Sequence, residues 1–275
     1  MKIFTVLVFS VMLSVSQFCK AQLLLGGDDK GFSFGYSNGA NFPEGDFGKE
    51  DLSKLPLSRI SGQDTNKLNG YAQGIQTSFH FDFYATYRLI PHLSVILSVS
   101  EDANTYDINT LNTQLETYYP LETVTTGDYF SIVQYLAGAY LNFPFSAKQE
   151  NGTAQHHNFH LNPFAGNFSF ELKVLTGLTR GNYPDLYFPG VSETTLYTFN
   201  EGSGFGYFVS AGFKYEIVDG IGIHLNMNYA GTTIHYPSYY VTVFTTNSFT
   251  PTEYNIPKTM AIGLLQISAG ISIEL

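Results

Sequence analysis

Apolar and polar residues alternate along much of this chain, and the alternating runs come in pairs. The clearest pair is Gly204–Asn228, GFGYFVSAGFKYEIVDGIGIHLNMN. Phe205, Tyr207, Val209, Ala211, Phe213, Tyr215 and Ile217 take every second position, and Ile221, Ile223, Leu225 and Met227 resume the series after Val218-Asp219-Gly220. Side chains on a strand point to opposite faces in turn, so this segment predicts a hairpin with one apolar and one polar face.

The same pattern predicts strands near 30–38, 73–89, 93–101, 128–143, 160–178, 204–217, from 221 past 228, and 258–275. On these strands Phe79, Phe81, Phe83, Leu97, Val174 and Ile271 fall on the apolar face. The connections alternate in length. Long polar segments at 39–72, 102–126, 179–202 and 236–257 separate short turns at Ile90-Pro91-His92 and Val218-Asp219-Gly220, with a moderate one at 145–158. An extra hairpin, 239–245 with 252–256, would raise the strand count from eight to ten. Helical periodicity is hard to find beyond the N-terminus.

The N-terminus changes what the apolar faces mean. Lys2, an apolar run from Ile3 to Val15, and Cys19-Lys20-Ala21 read as residues 1–21 of a signal peptide cleaved after Ala21. A lipoprotein, with Cys19 as its lipidated first residue, is the other reading; Phe18 stands where a small residue is expected. Residues 22–275 are then one barrel domain without cysteine, and so without disulfides. No later stretch approaches the roughly 18 apolar residues of a membrane-spanning helix. A closed barrel is the other structure that satisfies its own backbone in lipid. Phe 24 and Tyr 20 with no Trp fit lipid-facing strands and interfacial girdles. A soluble barrel would show the same alternation, but its outward faces would not be aromatic and aliphatic over most strands. The net charge of −10 argues against a nucleic acid as partner.

The fold expected is therefore all-β: an eight-stranded antiparallel transmembrane β-barrel with long extracellular loops. The CKAQ region, the hairpins ATYRLIPHLSVILSVS and FKYEIVDGIGIHLNMNY, and the terminal GISIEL carry a resemblance to the small outer-membrane barrels of Gram-negative bacteria, of the OmpX/OmpW and PorT-like porin type. The resemblance spans most of residues 22–275 and is poor in motifs. It implies the outer membrane as location and its lipid as partner, and says little about activity.

If the apolar face meets lipid, the opposite face lines the lumen. It carries His80, Asp82, Arg88, Glu171, Lys173, Lys214, Glu216, His224 and Glu274. The acids and bases nearly balance, and a Lys or Arg facing lipid at the midplane would cost about 2–4 kcal/mol. Balanced charges in a narrow lumen suggest a paired plug, since a conducting pore more often carries a ring of one sign. A site or path lined by His80, Asp82 and His224 is the competing reading.

The loops offer aromatics, Tyr183, Tyr187, Phe188, Tyr197, Tyr239 and Tyr240, as ligand contacts for an extracellular or surface partner, or as residues that pack on one another. His156, His157 and His160 cluster, but no Cys or Asp completes a metal set nearby, so no metal or other cofactor is expected. No local signature joins a Ser, a His and an acid. The expected role is non-enzymatic: structural, surface-binding or accessory, with a filled lumen. A narrow channel for small or apolar solutes comes second, and a lipid-modifying enzyme third.

Overall fold

The computed structural model describes residues 31–275 except 45–46, 48–76, 106, 110–111, 114–115, 117–122, 127–128, 146–167, 190–192, 219, 246–247 and 256. The signal peptide expected at residues 1–21, the three clustered histidines and the start of the strand expected from residue 160 lie outside the described residues.

Alternation becomes strand wherever it is sustained. The strands are β1 (Phe32–Glu44), β2 (Ser78–Ile90), β3 (Leu93–Asn104), β4 (Phe130–Pro144), β5 (Phe168–Asn182), β6 (Leu186–Pro189), β7 (Glu193–Phe199), β8 (Gly202–Val218), β9 (Ile221–Tyr236), β10 (Tyr239–Thr245), β11 (Ser248–Tyr254) and β12 (Lys258–Glu274). Eight of them close into an antiparallel barrel in the order β1-β12-β9-β8-β5-β4-β3-β2. The first and last strands pair along their length, from Ser33 with Glu274 to Glu44 with Gly263. No sheet edge remains in the barrel, which is what a bilayer requires.

The outer face is the apolar series read from the sequence. Phe79, Leu97 and Phe205 are 67%, 62% and 64% exposed, and Val209, Phe213, Leu225, Met227 and Ile271 stand with them. Such a continuous exposed apolar surface has no place in water; it is a lipid-facing band. Near the short-turn end, cross-strand aromatic pairs strengthen it: Phe32 with Tyr87 at 4.8 Å, Tyr36 with Phe83 at 4.7 Å, and Phe168 with Tyr215 at 5.2 Å between ring centroids.

The short turns use left-handed backbone where the chain must reverse. Gly220 has φ 80° and His92 has φ 71°. Glycine adopts this at little cost, whereas His92 is held there, its Nδ1 2.9 Å from the Asn142 carbonyl oxygen.

At the opposite end the structure departs from the eight-strand reading. The third and fourth long segments are not simple loops. They fold into a second sheet, ordered β11-β10-β7-β6. The hairpin anticipated at 239–245 exists, but it pairs through β10 with β7 and leaves the barrel at eight strands. This sheet repeats the neighbour order of the strands it continues: β6 follows β5, β7 precedes β8, β10 follows β9 and β11 precedes β12. It forms a wall rising from one side of the barrel. The second long segment leans on it. Thr125 and Tyr187 exchange backbone hydrogen bonds of 2.8 Å, and Asn112 brackets Val124 with bonds of 2.7 and 3.0 Å. Ile108, Asn109, Asn112, Thr113 and Glu116 are helical, where the sequence reading placed only loop.

Candidate functional site in the barrel lumen

Every second residue of the barrel strands points inward, and the lumen is built in layers from the short-turn end upward. At the mouth, Arg88 of β2 pairs with Glu274 of β12, and Lys214 of β8 stands 3.9 Å from the other Glu274 oxygen. Glu216 does not join them. It accepts the Gly220 amide at 3.0 Å and so caps its own turn.

One layer deeper, Glu171 of β5 is held by two donors. Tyr140 donates its hydroxyl to one carboxylate oxygen, and His224 Nδ1 lies 2.6 Å from the other. The other ring nitrogen of His224, Nε2, lies 2.6 Å from Ser272 Oγ. Glu171 as a carboxylate can only accept, so Nδ1 carries the proton, and in the neutral ring Nε2 accepts from the serine hydroxyl. The Lys173 ammonium sits 3.9 Å above the Tyr84 ring, a cation–π contact that helps a buried charge tolerate burial. Asp82 accepts the Ser98 hydroxyl at 2.5 Å.

At mid-barrel, Asp102 is the hub. One of its oxygens accepts from His80 Nδ1 at 3.0 Å, Asn41 at 3.1 Å and Gln266 at 2.9 Å. His80 also lies parallel to Phe208, 6.3 Å away. Alternation alone ends the third strand at residue 101 and leaves Asp102 in a loop. The structure corrects this: β3 runs on to Asn104, and Asp102 is fully buried opposite His80. Three charge-assisted bonds on one carboxylate need four strands to bring them together, and no local pattern announces that.

Toward the long-loop end the lumen turns apolar. Ile132 and Leu136 of β4, Ile234 of β9, and Met260, Ile262 and Leu264 of β12 point inward and join one hydrophobic cluster. The polar faces expected to line the lumen do not include these residues. On β4 they alternate with apolar outward residues such as Val133 and Tyr135, and on β9 and β12 the outward Thr233, His235 and Thr259 are less apolar than they are, so periodicity alone cannot assign their face.

An aromatic collar joins the barrel to the wall. Tyr183 lies 4.6 Å from Phe130 and 4.2 Å from Phe199 between centroids, with the Lys258 ammonium 4.4 Å above its ring. Of the loop aromatics picked from sequence, Tyr183, Phe188, Tyr197 and Tyr239 are buried, Tyr240 is half-buried and Tyr187 is exposed. Tyr239 stacks on Tyr254 at 5.3 Å, and burial, then the neighbouring Tyr197 and Tyr254, push its phenol above its usual range. On β10 and β11, Phe244 and Phe249 are exposed as well.

A cavity of about 270 Å³ opens at the short-turn end. Its wall includes Tyr84, Arg88, Tyr140, Lys214, His224 and Ser272. The lumen charges named from sequence thus separate into groups. Arg88, Lys214, His224 and Glu274 reach this cavity, with Glu171 behind His224. His80, Asp82 and Lys173 lie in the packed middle, and Glu216 serves the turn.

No family model matches the chain, and no curated protein matches it. Among solved structures it is similar to the neisserial surface protein NspA, at 12% identity over 89% of this chain and 96% of that one, with a TM-score of 0.37. It is also similar to Ail, the attachment invasion locus protein of Yersinia pestis (12% identity, 89% and 98% covered, TM-score 0.33). A third is a major outer membrane protein from Thermus thermophilus (8% identity, 89% and 99% covered, TM-score 0.41). These likenesses are of fold, and at such identities and scores they carry no argument about activity or partner.

Proposed function

We propose that this chain is a closed, non-conducting barrel of a Gram-negative outer membrane that presents its β wall to the outside as a surface for interaction. Residues 22–275 form the barrel domain once the signal peptide is removed, and the short turns and both ends of the barrel sequence face the periplasm. The observation that carries the reading is the filled lumen. His80, Asp102, Gln266, Gln134 and Lys173 are all at most 2% exposed at mid-barrel, and the hydrophobic cluster covers them on the long-loop side. An eight-stranded barrel has room for little beyond its own side chains.

Planar-bilayer recording tests this. The expected result is no steady conductance from the purified barrel. A steady conductance that changes with Asp102→Ala or Lys173→Ala would establish the competing reading, a narrow solute path. The interaction surface is the exposed rim of the wall, with Tyr187, Phe244 and Phe249. Replacing all three by Ser is expected to leave heat-modifiable gel mobility intact and to reduce adhesion of cells that display the barrel.

A further inference from the structure

The cavity at the short-turn end contains an arrangement the plug does not need. Among the described residues, Ser272 is the only serine hydrogen-bonded to a histidine. That histidine is in turn oriented by a buried carboxylate: Ser272 Oγ to His224 Nε2 at 2.6 Å, His224 Nδ1 to Glu171 at 2.6 Å. The three residues come from β12, β9 and β5, so no short sequence signature links them. Tyr140 holds the second Glu171 oxygen, fixing the carboxylate from behind. A serine, a base in reach of its proton and an acid that sets the base's tautomer are the parts of a nucleophilic acyl-transfer site.

The strand neighbours of Ser272 give a second, independent observation. Its ladder partners are Gly35 on one side and Gly222 on the other. Each missing side chain admits a polar group beside the serine. The place of a Cβ on Gly35 is taken by the Tyr84 ring and hydroxyl. At Gly222 it is taken by Lys214 Cε at 2.5 Å, with Ser272 Oγ itself at 3.2 Å. The Tyr84 phenol, 3.5 Å from His224 Nε2, and the Lys214 side chain, whose ammonium stands 3.9 Å from Glu274, therefore lie beside the serine on the cavity side, where negative charge would develop on a carbonyl under attack.

We propose that Ser272, His224 and Glu171 form a hydrolytic site for small carboxylic esters that enter the cavity from the short-turn end. Ser272 Oγ bonds to the ester carbonyl carbon as His224 Nε2 takes the serine proton. The carbon–oxygen bond to the alcohol breaks, and the leaving alkoxide takes that proton from His224. Water then attacks the acyl-serine, giving a proton to His224, and the acid departs as Ser272 recovers its hydrogen. The sum is ester plus water to acid plus alcohol, with no other reactant. Tyr84 and Lys214 stabilise the oxyanion. Glu171 is a positioning residue that acts through His224. At about 270 Å³ the cavity lies just below the usual small-molecule range of about 300–1,000 Å³, which selects short acyl groups. This site goes beyond the surface role proposed above and lies at the opposite end of the barrel.

The test uses the full barrel, folded in detergent micelles and verified by heat-modifiable mobility, with a fluorophosphonate and p-nitrophenyl acetate as probes. The expected result is a single phosphonylation located on Ser272 by peptide mass spectrometry, absent from the boiled protein. Ser272→Ala abolishes both labelling and esterase activity. His224→Gln lowers hydrolysis by about 10²–10⁴-fold, the usual contribution of a general base. Glu171→Gln lowers kcat with KM unchanged, which a merely structural acid would not do selectively. A folded wild-type barrel that takes no label, label on another serine, or hydrolysis that survives in folded Ser272→Ala each overturns the proposal.

Discussion

From the short turns to mid-barrel, Glu171, His224, His80 and Asp102 are buried with named hydrogen-bond partners; toward the long loops, Ile132, Ile234, Met260 and Leu264 are buried in a hydrophobic cluster. Both halves exclude water from a narrow tube, and both are built on the same alternation. They differ in how each tolerates error. A buried polar group that loses its partner keeps its full desolvation cost, whereas a shortened apolar group loses contacts in proportion to what was removed. The polar half therefore demands particular partners, while the apolar half demands mainly volume.

The sharpest way to break this contrast is at Asp102. Asp102→Ala leaves the donors of His80, Asn41 and Gln266 without their shared acceptor and is expected to cost about 3–5 kcal/mol. Asp102→Asn keeps one acceptor oxygen and is expected to cost less, about 1.5–3 kcal/mol. Urea unfolding from lipid vesicles, followed by gel mobility, measures both; equal costs would mean that the charge carries the whole effect and the retained acceptor oxygen contributes nothing. In the apolar half, Leu264→Ala is expected to cost about 2–5 kcal/mol, and the volume-conserving Leu264→Met under about 1.5 kcal/mol. A Met as costly as an Ala would show that this half, too, is specified by shape in detail. The smallest effect belongs outside both halves. The Arg180–Glu201 pair is exposed, at 3.5 Å, and Arg180→Ala is expected to change stability by about 0.5 kcal/mol or less in the same assay.

Much of the barrel was legible because the bilayer imposes a simple rule on one face of each strand. Phe79, Leu97, Phe205 and Ile271 could be assigned outward from spacing alone, and the Val218–Gly220 turn from its glycine. The rule weakens where both faces are apolar. Leu136 sits between outward Tyr135 and Ala137, and Leu175 beside outward Val174, and only the pairing register shows that the two leucines fill the lumen. The strand ends were hidden for the opposite reason. Asp102 and Asn104 look like loop residues until the inward face of β3 is known to be polar. The wall was half visible: the 239–245 hairpin shows in its β-branched and aromatic residues, but its pairing with β7 is a contact between distant segments. Two of the triad residues were visible singly, Glu171 and His224 among the lumen charges, while Ser272 is one of several buried serines on the inward faces. Their junction depends on the stagger of three strands, and sequence spacing does not encode it.

The seam between β1 and β12 has a bearing on how the molecule comes to exist. Leu275 donates its backbone N–H to the Phe32 carbonyl at 2.8 Å, so the circle is completed between the two ends of the barrel sequence. Contacts this remote in sequence close late, because the chain must give up the entropy of nearly its whole length before they form. Until then β1 and β12 each present an unpaired edge, ready to join a neighbouring chain. The molecule thus depends on protection during transit, and clipping β12 would leave an open, adhesive sheet where a sealed cylinder had been.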